Sequence, residues 1–178
     1  MPQPGKVWRH GIIGTYGAWL PGDPRGWRSR KHKRHSSGDY KQPPPPGEHA
    51  GLFDFNQRHR PAAVTLPEPL RATVGERFRE ALEKQDHTVL ALCVAGQHAH
   101  FLCELPLDPA RTKHCIGLAK KASSRAIKRE MPGRVWAAGG RYIIVDTPTY
   151  QQRVYHYIIR HRDEGAWVWT FRDDPDTD

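Results

Sequence analysis

TVLALCVAGQHAHFLCEL, residues 88–105, is the stretch that decides the fold. Residues 88–95 form a short, almost unbroken apolar run, the length of a buried strand rather than of a helix. Gly96-Gln97 supplies a turn, and residues 98–105 read as a second strand, closed by Pro106. Upstream, Thr65 and Glu68 have the spacing of a capping box with a proline in the first turn, so a helix is expected from there to about Lys84. Leu70, Val74, Phe78 and Leu82 recur every four residues and give it one buried stripe. Residues 7–20 (VWRHGIIGTYGAWL) read as a first strand centred on Ile12 and Ile13.

Downstream, a second helix is expected over 110–130, with Cys115, Leu118, Ala119, Ala122 and Ala126 at helical spacing and Pro132-Gly133 as its stop. Residues 141–145 form a fourth strand. Thr147-Pro148 resembles an N-cap followed by proline at the first helical position, so a third helix should run to about Asp163. The order β-α-β-β-α-β, then α, is the split βαβ or ferredoxin-like arrangement. It predicts an α+β fold: one antiparallel sheet with two helices on one face and a C-terminal, tyrosine-bearing helix on the other.

The 178 residues suit a single domain, 1–178, with two decorations. One is a long basic and proline-rich insertion at about 21–64, containing Pro21-Gly22-Asp23-Pro24, the run Arg28-Ser29-Arg30-Lys31-His32-Lys33-Arg34-His35, and Pro43 to Pro46. Its composition argues for an extended or mobile segment. The other is an acidic tail at about 172–178, expected to fray. A net charge of +9 favours a phosphate-rich partner. Cys93, Cys103 and Cys115 have no CxxC spacing and are odd in number, which argues against a zinc knuckle or a disulfide framework. No apolar run has membrane-spanning length and the N-terminus has no secretory apolar region, so a cytoplasmic protein acting at nucleoid DNA is expected.

Side chains alternate along a strand, so His98 and His100 point the same way, opposite Ala99, Phe101 and Cys103. Imidazoles about 7 Å apart along a strand can share a metal ion. If the two helices cover the Ala99 side, the histidines face the terminal helix. There Tyr150, Tyr157 and His161 fall on one stripe, and Tyr157 and His161 are one turn apart. Tyr155 has Ile158 and Ile159 beyond it and Tyr150 has Val154, so only Tyr157 has a ligand-type residue one turn on. Three imidazoles and a phenol fit metal-assisted phosphoryl transfer with tyrosine as nucleophile.

These residues resemble the single-tyrosine HUH transposases, in particular the REP-associated tyrosine transposases and their IS200-like relatives. His98-Ala99-His100-Phe101-Leu102 resembles the histidine–hydrophobic–histidine motif and its continuation. Tyr157-Ile158-Ile159-Arg160-His161-Arg162 resembles the YIxxNP segment, with His161 in place of the commoner Asn or Gln and Arg162 in place of proline. Thr15-Tyr16-Gly17-Ala18-Trp19-Leu20-Pro21-Gly22-Asp23 resembles the opening segment of one branch. The resemblance implies catalytic Tyr157, metal ligands His98, His100 and His161, and Mg²⁺ or Mn²⁺ as the ion. It also implies single-stranded hairpin or terminal-repeat DNA as substrate, cut through a 5′-phosphotyrosine link and rejoined by a second 3′-OH. Monomer and homodimer both occur among such proteins.

Arg28, Arg30, Lys31, Lys33 and Arg34 in the insertion, and Lys120, Lys121, Arg125 and Lys128 on the second helix, are the expected contacts to the nucleic-acid backbone. Trp19, Trp27, Tyr40 and Trp136 are candidates for base stacking. The rival readings are a non-catalytic or domesticated hairpin DNA- or RNA-binding ferredoxin-like domain, a relaxase or replication initiator, and a zinc hydrolase. An RNA-binding sheet would carry an aromatic motif that is absent here, relaxases and initiators carry further domains, and a zinc hydrolase leaves Tyr157 without a role; a domesticated transposase that binds hairpins without cutting stays open.

Overall fold

The structure, a computed structural model, describes residues 2–27, 34–38 and 42–173. Its elements run β1 (Lys6–Gly14), α1 (Ala50–His59), α2 (Glu68–Glu83), β2 (Val89–Val94), β3 (His98–Pro106), α3 (Pro109–Ala126), β4 (Arg141–Ile144), α4 (Pro148–Arg160) and β5 (Trp167–Thr170). The chain divides into two compact units, Tyr16–Val64 and the remainder.

In the larger unit the five strands form one antiparallel sheet in the order β4-β1-β3-β2-β5. The first four follow the ferredoxin-like order expected from sequence. β1 pairs β3 along its whole length, with Ile12 opposite His100 and Gly11 opposite Phe101. Gly11 is required there, because any Cβ would enter the Phe101 ring.

Period-2 alternation sorts the strand residues into two cores. Ala99, Phe101, Cys103 and Leu105 join Val74, Phe78 and Leu82 of α2 and Ile116 and Ala119 of α3 in one cluster. Leu102, Ala91 and Cys93 face the other way and pack on Val154 and Ile158 of α4. α2 and α3 therefore cover one face and α4 the other, and the histidine side of β3 belongs to the α4 side.

Three local expectations need correction. The capping box does not form: α2 begins at Glu68 behind Pro67 with no side-chain cap, and Thr65 Oγ1 instead accepts from the Gln97 amide at 3.1 Å. The buried stripe of α3 is Thr112, Ile116, Ala119, Lys120 and Ser123, not the Leu118 and Ala126 side, both of which are exposed. Polar residues can occupy that stripe because their groups are bonded: Thr112 donates to the Pro106 carbonyl (2.8 Å) and Lys120 Nζ to the carbonyls of Ala137 and Gly139 (2.9 and 2.6 Å). After α4 comes a strand in a stretch where the sequence reading places no element. Gly165, at φ +76°, reverses the chain into β5, which pairs with β2. Residues 174–178, the end of the expected acidic tail, lie outside the described residues.

The third correction concerns the insertion, whose described residues include helix α1 and the buried side chains of Trp27, Ser36 and Asn56. In Tyr16–Val64, Trp27 is buried with its ring edge-on to His49 at 5.4 Å, and its backbone N–H donates to Ser36 Oγ. The α1 residue Asn56 donates to the Pro21 and Leu52 carbonyls (3.0 and 2.8 Å). A donation from Val64 N to Tyr16 O, 2.8 Å, closes the ends of the unit. Such side chain-to-backbone bonds order a segment that has few apolar residues.

β5 is held by aromatic packing on α2. Trp167 lies where a Cβ on Gly75 would be, and Trp169 lies under Arg79, whose guanidinium carbon is 4.5 Å from the ring. Gly75→Ala gains roughly 0.5–1 kcal/mol of helix propensity but overpacks Trp167 at a cost of roughly 1–3 kcal/mol. A net loss of stability is therefore expected, read as a lower urea midpoint at unchanged slope.

Candidate active site

Each residue of the site is placed by a local rule. His98 and His100 lie on the α4 side of β3 because Ala99 and Phe101 are in the α2/α3 core. α4 starts where Thr147 accepts from Tyr150 N (3.2 Å) with Pro148 in the first turn, as the sequence predicts. Val154 and Ile158 seat it on the sheet, and that rotation brings the neighbouring Tyr157 over His100. Their ring centroids are 5.2 Å apart and nearly perpendicular. His161 opens the short 3-10 turn His161–Glu164, with its ring 4.8 Å from both His100 and Tyr157 and 5.5 Å from His98.

Candidate ligand atoms of His98, His100 and His161 all lie within 4.8 Å of one another, close enough to hold a metal ion. The tautomers suit that use. His161 Nδ1 donates to the Tyr157 carbonyl at 3.0 Å, which leaves Nε2 with its lone pair. Burial is the main cause that lowers the His98 pKa, and it lowers His100 to about 2, helped by the neighbouring imidazoles. The neutral ring is the ligating form, so the donor set fits a divalent ion. Tyr157 is 40% exposed, and burial raises its phenol, with Cys93 and Glu164 adding to that and Arg160 opposing it. A cation at the site is what would favour the phenolate.

One residue of the constellation is not legible from sequence. His10 of β1 is 7% exposed, with Nε2 3.0 Å from His100 Nδ1 and its ring edge-on to Tyr157 at 5.9 Å. Burial, then Arg141 and His161, lower its pKa to about 4. A neutral His100 carrying its proton on Nδ1 donates to His10 Nε2 and keeps Nε2 free for a metal. Hydrogen bonds of this kind orient metal ligands, and their loss costs about 10–100-fold in affinity. His10→Ala is expected to weaken Mn²⁺ binding by about that factor, while His10→Gln, whose amide oxygen can accept, retains more. Isothermal titration of the metal into both variants checks this. The only signal in the sequence is a histidine inside an apolar strand, and it has no meaning until β1 is known to lie beside β3.

Five of the nine expected nucleic-acid contacts, Arg34, Lys120, Lys121, Arg125 and Lys128, fall among the described residues. Arg28, Arg30, Lys31 and Lys33, with Tyr40, lie outside the described residues, and Arg34 is exposed. Lys121, Arg125 and Lys128 are exposed at α3 and just beyond it, on the sheet face opposite Tyr157. Lys120 differs: it is 9% exposed and its ammonium holds the loop before β4, so it has a packing role. Trp136 and Trp27 are buried, and Trp136 Nε1 donates to Ser123 Oγ at 2.9 Å. Trp19 is exposed, its indole N–H donates to the Gly26 carbonyl, and the Arg25 guanidinium lies over its ring.

A tyrosine facing a histidine–hydrophobic–histidine strand defines a single-tyrosine HUH-type site. Residues 59–161, over half of the chain and including Tyr157 and all three clustered histidines, match the family model described as IS200-like transposase. The chain belongs to that family. No curated protein matches it. A solved structure of a REP-associated tyrosine transposase bound to a REP hairpin is similar at a TM-score of 0.46 and 14% identity, over 98% of this chain and 77% of that one. Among the described residues, no helix is long and apolar enough to cross a membrane.

Proposed function

We propose that this transposase-family protein cuts and rejoins single-stranded DNA, with Tyr157 as the nucleophile. The observation that carries the reading is the meeting, within one chain, of the Tyr157 phenol with His98, His100 and His161. A divalent ion held by these imidazoles would supply Lewis-acid polarisation of a phosphate oxygen, and Mg²⁺ or Mn²⁺ is the ion the family resemblance implies. Tyr157 Oη forms a bond to phosphorus as the bond from phosphorus to the departing 3′-oxygen breaks. The phenolic proton is lost to solvent and the 3′-oxygen gains one. The product is a 5′-phosphotyrosine and a free 3′-OH.

A second 3′-OH reverses the step and restores the phenol. The count of phosphodiester bonds is conserved, so neither water nor ATP is needed. Arg160, one turn beyond Tyr157, opposes the rise of its pKa and assists the phenolate. Hairpin or repeat DNA is the substrate that the sequence resemblance implies. Lys121, Arg125 and Lys128, together with Arg28, Arg30, Lys31, Lys33 and Arg34, would meet the backbone of the flanking DNA.

The test is incubation of the protein with labelled hairpin oligonucleotides and Mn²⁺, followed by a denaturing gel. A protein-sized labelled band that disappears with EDTA is the expected result. Binding of the hairpins with no adduct under any metal condition would leave a DNA-binding protein without this chemistry.

A further inference from the structure

α4 covers only part of the sheet face that carries the histidines. It packs against β2, β3 and β5. On the β1 side a cleft of about 610 Å³ remains, bounded by His10 below and by Tyr150, Arg153, His156, Tyr157 and Arg160 along α4. Tyr150, Arg153, Tyr157 and Arg160 follow helical spacing and so form one stripe, about 15 Å from end to end. Guanidiniums thus stand on both sides of the phenol, at i−4 and i+3. Neither is paired with a carboxylate among the described residues, and no acidic residue lines the cleft. Arg141 of β4 is opposite Ile12 and shares the His10 face, adding a third cation beside it.

Cations flanking an aromatic surface match the needs of an unpaired strand: charge for phosphates and a flat face for a splayed base. The volume is that of a small-molecule pocket, which admits a nucleotide and excludes a duplex. The exposed cations of α3 are on the opposite face and cannot serve a strand running into Tyr157.

We propose that this cleft binds the unpaired nucleotide next to the scissile phosphate, with Arg153 and Arg160 on the backbone phosphates and Tyr150 stacked on the base. The assignment rests on Tyr157 as the nucleophile only for which phosphate lies at the cleft. Its test therefore reads binding and not cleavage.

Full-length Tyr157→Phe protein in EDTA is titrated into a fluorescein-labelled unpaired oligonucleotide at several salt concentrations. Adding Arg153→Glu with Arg160→Glu should weaken binding at least about tenfold and flatten the log K–log salt slope by about 1.4, for two single-strand contacts. Arg153→Gln with Arg160→Gln should move both in the same direction by less, with unchanged thermal stability as the folding control. Tyr150→Ala should cost about fivefold or more on a normal strand and little on one lacking the stacked base. A 5-iodouracil next to the scissile phosphate should crosslink to the helix segment 149–157. Unchanged affinity in both arginine pairs, loss instead in Lys121→Glu with Arg125→Glu, or a crosslink mapping to α3, would overturn the proposal. So would absence of any binding to the unpaired strand. Binding as expected here, together with no adduct from the unsubstituted protein and Mn²⁺, would instead reject the nucleophile and leave the cleft standing.

Discussion

Tyr157→Phe is expected to remove adduct formation with single-stranded DNA to the detection limit, a fall of at least about 10⁴-fold, because the nucleophile proposed here would not be replaced by its neighbours. The ring remains to pack against His100 and His161, so folding and metal binding should persist. Tyr155→Phe is the matched control. That ring packs in the apolar cluster under α4, edge-on to Phe171 at 6.0 Å and to His156 at 5.7 Å, and makes no ring contact with His98, His100 or His161. Its activity should stay within about twofold of the unmodified chain, as for substitutions away from a site. A quantitative gel assay of both variants on one labelled hairpin measures the contrast.

His100→Ala is expected to abolish both metal binding and cutting. His100 is the central imidazole, in ring contact with His98, His161, His10 and Tyr157. Losing an outer partner of a ligand costs about 10–100-fold in affinity. Losing the ligand itself should exceed that, and the transition-state stabilisation lost with the metal adds on the order of 10³-fold in rate. Free Mn²⁺ measured by electron paramagnetic resonance gives the affinity and the adduct assay gives the rate. His161→Gln, which restores a residue type common at this place in the family that the chain resembles, should lose far less than His100→Ala in both readouts.

The legible parts of the fold and site are those that local sequence encodes. Alternation through His98-Ala99-His100-Phe101 assigns the two faces of β3, Thr147-Pro148 marks the start of α4, and Tyr157 and His161 share a helical stripe. The ferredoxin-like order then brings those local features together. What escaped depends on distant partners. His10 meets His100 only because β1 lies beside β3, 90 residues away in sequence. β5 is four residues long and is secured by its pairing to β2 and by Trp167 over Gly75. The buried stripe of α3 was hidden because Lys120 and Ser123 look like surface residues until the loop carbonyls and the Trp136 indole that satisfy them are in place.

The account depends most on which tyrosine carries the DNA. Cleavage after Arg153 and Arg160 releases the peptide Val154-Tyr155-His156-Tyr157-Ile158-Ile159-Arg160, which holds both candidates from the middle of α4. Tandem mass spectrometry of the nuclease-trimmed adduct should place the phosphonucleotide on Tyr157. Finding it on Tyr155, on Tyr150 or outside this helix would contradict the account.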